Sequence, residues 1–549
     1  MSDTTVAAHG RTHAHAASHH AAHPGRPNLD AGSHFAGIIV FLALLVFGIG
    51  FTLRGLTLDI ESAGTEPLAL GAFVLLGIAL LIALGFEFVN GFHDTANAVA
   101  TVIYTHSLQP QVAVVWSGLF NFLGVLTSSG AVAFSIVSLL PVELILQVGH
   151  SAGFAMIFSL LIAAIVWNVG TWWLGLPASS SHTLIGSILG VGIANQLMAE
   201  GGNATSGVDW SQAGGVFQAL LFSPVVGFIC SALMLLAMKA LIRNRHLYEA
   251  PKTKEAPPLW IRGLLIFTCT GVSFAHGSND GQKGMGLIML ILIGAVPTAY
   301  ALNRAVPDSH LPAFVSATQQ VRTVFDQRAG NLTIPAAPAR DAVADALKLR
   351  ELNKPLVYAA LSSLAIDVSN QVQQYGTLNH VPAAAVENIR NEMFMVSEAI
   401  RLLQKQGVQF STQDAAALKA YKGALDDSTK FIPTWVKVAV AIALGLGTMV
   451  GWKRIVITVG EKIGKTHMTY GQGASAELVA AATIAAADVY GLPVSTTHVL
   501  SSGVAGTMAA SGAGLQWATV RSLIMAWVLT LPAAILMAGS LYFCLRQVM

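Results

Sequence analysis

The chain has 549 residues, 54% hydrophobic and 11% charged, with a formal net charge of +2 and a mean hydropathy of +0.62. Soluble domains carry about 25% charged residues, so this is an all-α polytopic membrane protein, and strand-like apolar alternation, the mark of a barrel, is absent. The small net charge identifies no partner beyond the lipid bilayer, no nucleic acid is expected, and Cys230, Cys269 and Cys544, all in apolar runs, read as buried free thiols.

Residues 1–34 form a polar, Ala/His-rich tail, expected to be disordered. It holds His9, His13, His15, His19, His20, His23 and His34, which would bind Zn or Ni only weakly; inert, biased sequence is the plainer reading. The first apolar run, Phe35 to Leu53, is too long for a secretory signal and lacks a small-residue cleavage site. It is expected to stay as an additional N-terminal helix, with its loop filling 35–64.

Spanning helices need about 20 apolar residues. Further candidates lie at 68–90, 111–139, 153–174, 213–241, 263–301, 433–451, 474–490 and 519–545. The 263–301 run is long enough for two short helices or one broken one. Segments 178–198 and 494–512 are Gly/Ser-rich and read as half-helices or re-entrant hairpins, tolerated at membrane depth only under cover of protein or a wet cavity. The expected total is about 10 to 12 crossings.

Residues 303–434 differ. They hold 13 Lys/Arg and 12 Asp/Glu, a large share of the 58 charges in the chain. Arg340–Glu351 and Ala383–Gln406 have the pattern of amphipathic soluble helices, so this stretch is an extramembrane insert. The loop at 242–262 and the run Lys453, Arg454, Lys462 and Lys465 are basic, which assigns both to the cytoplasm. The insert is nearly neutral and is expected on the same side.

The chemistry lies in four short motifs. Gly91-Phe-His-Asp94-Thr-Ala-Asn97 ends one apolar run, and Gly277-Ser-Asn279-Asp280-Gly-Gln282-Lys283 ends another. Each is followed by Gly-Leu-Pro-x-Ser and a hydroxyl cluster: Gly175 to His182 and Gly491 to His498. Asp94 precedes Ser179 by 85 residues and Asp280 precedes Ser495 by 215; removing the insert of about 130 residues equalises the two. The chain therefore reads as two homologous halves, 65–241 and 263–302 plus 435–549, inverted if each has an odd number of crossings.

At helical spacing Glu87, Asn90, Asp94 and Asn97 share one stripe within about a quarter of the circumference, and His276, Asp280 and Lys283 repeat it. A single acid would fit a helix end at the membrane surface. The duplicated set does not need that explanation, and mid-bilayer carboxylates face cavities or polar partners. Ser179, Ser180 and Ser181, and Ser495, Thr496 and Thr497, follow a Pro-x step that favours a helix start with free N–H groups, which suits a tetrahedral oxyanion. Plain helix caps are the alternative. Glu477 and Asp488 are further acids in an apolar run, candidates for cation or proton sites or for buried polar pairing. His182 and His498 read as structural hydrogen-bonders or, with His276 and Asp488, as a proton relay. No GxxxxGK[ST] loop is present, so direct ATP drive is not expected, nor is an enzyme.

These four motifs, GFHDTANAVA, AHGSNDGQKG, GLPASSSH and GLPVSTTH, resemble those of the PiT family of inorganic phosphate transporters, and most of 65–300 and 433–545 shares the likeness. The resemblance is closest to the bacterial low-affinity, proton-coupled branch. It implies secondary active import of phosphate across the inner membrane by alternating access. It also implies a substrate and coupling-ion site at Asp94, Asn97, Asp280, Ser179 to Ser181 and Ser495 to Thr497, with a divalent-metal hydrogenphosphate complex, such as that of Mg, as an expected substrate. Sodium-coupled relatives tend to carry Asn where this chain has Lys283. An ammonium cannot coordinate sodium, so a coupling proton is expected rather than sodium, with no other cofactor. Sulfate permease, sodium symport and a membrane-anchored metal sensor are the rival readings; a homo-oligomer is compatible with each.

Overall fold

The computed structural model describes residues 26–29, 35–64, 69–94, 96–146, 151–199 and 207–548. The histidines of the tail named above lie outside the described residues, as does the side chain of Asn97. Of the tail, Arg26 pairs with Glu461 at 2.8 Å and Leu29 is buried.

The described residues are helical and contain no strand beyond one isolated bridge, Gly464 with Leu515. In chain order come α1 (Phe35–Ser62), α2 (Leu70–Asp94), α3 (Ala96–Tyr104), α4 (Pro110–Thr127), α5 (Ala131–Val137), α6 (Val142–Leu146), α7 (Ser151–Trp173), α8 (Ser180–Leu197) and α9 (Trp210–Leu241). The second half begins with α10 (Leu259–Ala295) and α11 (Pro297–Tyr300). The insert follows as α12 (Leu311–Ala329), α13 (Ala336–Leu349), α14 (Pro355–Tyr375), α15 (Ala383–Lys405) and α16 (Thr412–Thr429). The core resumes with α17 (Thr434–Thr448), α18 (Lys453–Ile457), α19 (Tyr470–Val489), α20 (Thr496–Ala510) and α21 (Trp517–Val548).

Among the described residues seven helices are long and apolar enough to cross a membrane, or eight if the bent pair α16–α17 is counted. This is fewer than the 10 to 12 read from sequence. The difference lies in α8, α17, α19 and α20, which are short or rich in Gly and hydroxyl residues. α8, α17 and α20 are largely buried against other helices, so their outer faces need not match lipid, whereas α19 keeps an exposed face that includes Leu478. Most of the 263–301 run is one helix, α10 of 37 residues, followed after a break at Val296 by the short α11. Cys269 is buried, but Cys230 and Cys544 are exposed on outer helix faces, where an apolar thiol meets lipid as readily as core.

The two halves interlock. α8 packs along α21 and α20 along α9, while α10 packs on α4 and α17 on α2. Glycine permits the closest approaches. A Cβ on Gly91 would stand 2.3 Å from the Leu444 carbonyl oxygen, and one on Gly277 would stand 2.1 Å from that of Asn121. Each motif glycine thus opens a helix crossing onto the other half.

The insert has its own apolar core, built from Val321, Phe325, Leu361, Leu364, Ile400 and Tyr421 among others. It docks on the membrane core through Asp209, the N-cap of α9, which receives Arg350 at 3.2 Å and Arg401 at 2.7 Å. Burial opposes ionisation of Asp209, but hydrogen bonds from Arg401 and the Gln212 backbone, with the charges of Arg401 and Arg350, hold its carboxyl below the usual range. The basic loop 242–258 leaves the other end of α9. The second basic run joins that far end too: Glu461 accepts from Tyr104, and Arg262 binds the Ser107 carbonyl. Insert and basic loops therefore sit at opposite ends of the molecule, and the expectation that all three share the cytoplasm is wrong. A near-neutral sequence carries no side preference; only packing fixes its side relative to the loops.

Candidate substrate site

α8 and α20 begin inside the protein. Ser179 and Ser495 cap them, each hydroxyl accepting the backbone N–H three residues on, from His182 and His498, at 3.1 Å. Ser179 also bonds His182 Nδ1 at 2.9 Å. The imidazoles of His182 and His498 lie 4.6 Å apart, and His498 stacks on Trp527 at 4.2 Å. Trp527 in turn donates to the Pro177 carbonyl, at 3.0 Å. The two Gly-Leu-Pro segments, 316 residues apart by their equivalent serines, thus meet at one place.

Asp94 joins them. Ser180 Oγ donates to its Oδ2 at 2.5 Å, and Thr497 Oγ1 donates to its Oδ1 at 2.6 Å. His93 Nδ1 bonds the same Oδ1 at 2.9 Å and is steadied by Thr171 at 3.1 Å through Nε2. One carboxylate therefore gathers a hydroxyl from each half. Bonds to an ionised group are the strong ones, and a buried carboxylate needs them.

Asp280 is held by charge. Lys283 Nζ lies 2.6 Å from its Oδ1 and His276 Nε2 lies 3.3 Å from its Oδ2. Lys283, fully buried, also donates to Ser181 Oγ at 2.6 Å, which in turn donates to the Val494 carbonyl at 2.6 Å. His276 is positioned by Asn121 Oδ1 at 2.8 Å. Asp94, His276 and Asp280 each offer a ligand atom within 4.8 Å of the others.

Several buried atoms here have no hydrogen bond among the described residues: Asn90 Oδ1, Glu87 Oε1, Asn279 Oδ1, Thr496 Oγ1 and His498 Nε2. Most buried polar groups in proteins are satisfied. These atoms concentrate in the two motifs and their hydroxyl clusters. Glu87 sits against Gly284, where a Cβ would stand 2.3 Å from its Oε1, and takes a long bond of 3.5 Å from Asn90.

Other candidates form separate cross-links. Gln282 Nε2 and Ser278 Oγ both donate to Asp488, each at 2.6 Å, and Gln282 Oε1 accepts the Val132 N–H at 2.9 Å. Asn279 donates to the Leu492 carbonyl at 3.1 Å. Glu477 accepts from Thr101 and, at 2.6 Å, from Thr268, tying α3, α10 and α19. Sequence reasoning missed His93, Thr171 and Asn121. His93 stands off the polar stripe of a continuous helix. It nonetheless reaches the carboxylate of its neighbour Asp94, at 2.9 Å.

The sequence matches the phosphate transporter family over residues 90–538. It is 43% identical over 490 residues to the low-affinity inorganic phosphate transporter PitA of Escherichia coli K12, covering 86% of this chain and 97% of that one. It is 40% identical over 500 residues to PitB of the same strain, covering 87% and 99%. Among solved structures, a sodium-dependent phosphate transporter is similar at 20% identity and a TM-score of 0.47, over 87% of this chain and 100% of that one. The chain belongs to the phosphate transporter family. It is a multi-pass inner-membrane protein and its substrate is inorganic phosphate.

Proposed function

We propose that the chain is a secondary carrier, not an enzyme, that imports phosphate with protons by alternating access around the Asp94–Asp280 cluster. One observation carries the coupling assignment: Lys283 fills the cation position beside Asp280, at 2.6 Å, and bonds the hydroxyl cluster through Ser181. A resident ammonium leaves no room there for sodium, whereas a proton needs only a base. Asp94 and His276 are the bases that exchange it, and the caps of α8 and α20 supply hydroxyls and helix N-termini to the phosphate oxygens. The substrate is a neutral divalent-metal hydrogenphosphate complex, which lowers the cost of dehydration. Its cation is received by Asp94 with His276, a hard carboxylate and one imidazole, while Asp280 stays paired with Lys283.

The halves act as inverted repeats. α8 runs from the site toward the insert, with Gln196 at the Gly207 turn; α20 runs toward the basic loops, with Met508 against Gly464. Opposed half-helices meeting at mid-depth are the usual carrier arrangement. With the basic loops cytoplasmic, the insert is extracytoplasmic.

The test is uptake of labelled phosphate into proteoliposomes under separately imposed proton and sodium gradients. The expected result is uptake driven by the proton gradient alone and stimulated by Mg. Uptake driven only by sodium overturns the coupling assignment. Excess sulfate should not compete, because it carries no proton near neutral pH.

A further inference from the structure

A cavity of about 530 Å³ lies between the insert and the membrane core. Its wall includes Arg390, Phe394 and Arg401 of α15, Lys430, and the Gly491-Leu492 start of the second Gly-Leu-Pro segment. Leu492 is bonded to Asn279 of the motif helix, and Ser495 and Thr497 follow within the same segment. The cavity thus backs directly onto the polar cluster from the insert side.

The acid in its wall, and those paired with its basic residues, are already engaged. Glu398 takes Arg401 at 2.8 Å and Asp209 takes Arg401 and Arg350. Asp426 takes Lys430 at 2.8 Å together with Lys422. Arg390 is different. It is 6% exposed and, among the described residues, has no carboxylate partner. It bonds only Asn391 Oδ1 at 3.0 Å and the Ile145 carbonyl at 3.4 Å, and lies 5.1 Å over the Phe394 ring. Glu387 acts on it only at a distance, and burial pushes its guanidinium down to about 10. Arg401 Nη1 is also buried without a hydrogen bond among the described residues. A buried guanidinium with spare donors costs free energy unless an anion meets it.

We propose that this cavity is a second phosphate-oxyanion site, in which Arg390 and Arg401 Nη1, with Lys430, hold a phosphate group. Planar guanidinium forks suit phosphate oxygens. The proposal rests on phosphate being the substrate and is independent of the coupling ion. The oxyanion comes from free phosphate or from a lipid headgroup at the same junction, and the test separates the two.

Full-length protein in nanodiscs of phosphatidylcholine alone is titrated with labelled inorganic phosphate by equilibrium dialysis. Wild type should bind a second equivalent that Arg390→Gln loses and Arg390→Lys partly keeps. The equivalent retained in Arg390→Gln reports an intact central site and a folded chain, and Asp280→Asn should lose that one instead. In proteoliposomes Arg390→Gln should raise the apparent KM roughly tenfold with kcat little changed, as expected for removal of one charged hydrogen-bonding group. If the occupant is a headgroup, native mass spectrometry of protein from phosphatidylglycerol nanodiscs should show a retained anionic lipid that Arg390→Gln releases. A single phosphate equivalent in wild type, with no retained lipid sensitive to Arg390, overturns the proposal.

Discussion

Asp94 and Asp280 occupy the same position in two copies of one motif, yet they are satisfied differently. Asp94 is solvated by neutral donors, Ser180 from one half and Thr497 from the other, with His93 beside it. Asp280 is neutralised by Lys283 and flanked by His276. A carboxylate held by hydroxyls keeps its charge available to a guest, whereas one held by an ammonium has spent it. In the proposed mechanism this difference divides the labour: one acid meets the substrate's cation or proton, the other anchors a fixed positive charge next to the phosphate.

The sharpest way to break this comparison is to neutralise each acid. Asp94→Asn should cut phosphate uptake on the order of a hundredfold at unchanged expression, since truncating a buried hydrogen-bonded charge costs roughly 2–5 kcal/mol. Asp280→Asn should cost less if combined with Lys283→Asn, because the pair is removed together; initial rates in proteoliposomes for the single and double variants decide. Equal losses in all of them would mean that the acids are not divided in role.

Lys283→Asn alone comes next. Proton-driven uptake should fall roughly tenfold or more, because Asp280 is left without its counter-charge, and the pH dependence of uptake should change. Unchanged uptake and pH profile would remove the argument for proton coupling.

A smaller effect tests whether the halves are equivalent as scaffolds. Gly91→Ala and Gly277→Ala should each destabilise the protein by about 1–3 kcal/mol through overpacking, because each places a methyl against a backbone carbonyl of the other half. Thermal unfolding in detergent should move similarly for both.

The smallest effect lies in the insert. Burial raises the carboxyl of Glu392 to about 7; the charge and hydrogen bond of Arg340 pull it down, and Asp367 pushes it up. Folding thus favours the protonated form. That favourable contribution is complete near the ordinary carboxyl value of 4.5 and is lost as pH rises through about 7. Thermal stability of the insert should therefore decline over that range, and Glu392→Gln should flatten the profile without altering the pH dependence of transport at saturating phosphate.

Much of this was legible before any fold was seen. The acids, the Gly-Leu-Pro caps and the insert announce themselves through residue type and spacing, since charge in an apolar run and a Pro-x-Ser step are local signals. Asn121 and Thr171 gave none: a lone Asn or Thr in an apolar helix acquires meaning only from what faces it. His93 gave none because it stands off the polar stripe, and the insert was misplaced because its near-neutral charge carries no side preference.

The sequence by itself determined that the protein is a helical membrane transporter with ionisable groups in its apolar runs, because burying charge in lipid is too costly to be accidental. Only the tertiary structure decided which hydroxyl serves which carboxylate, that Lys283 spans from Asp280 to Ser181, and that Arg390 faces a cavity behind the second Gly-Leu-Pro turn. Most of those are contacts between segments about a hundred to four hundred residues apart, set by how helices pack through their glycines, and packing partners are not written in local spacing.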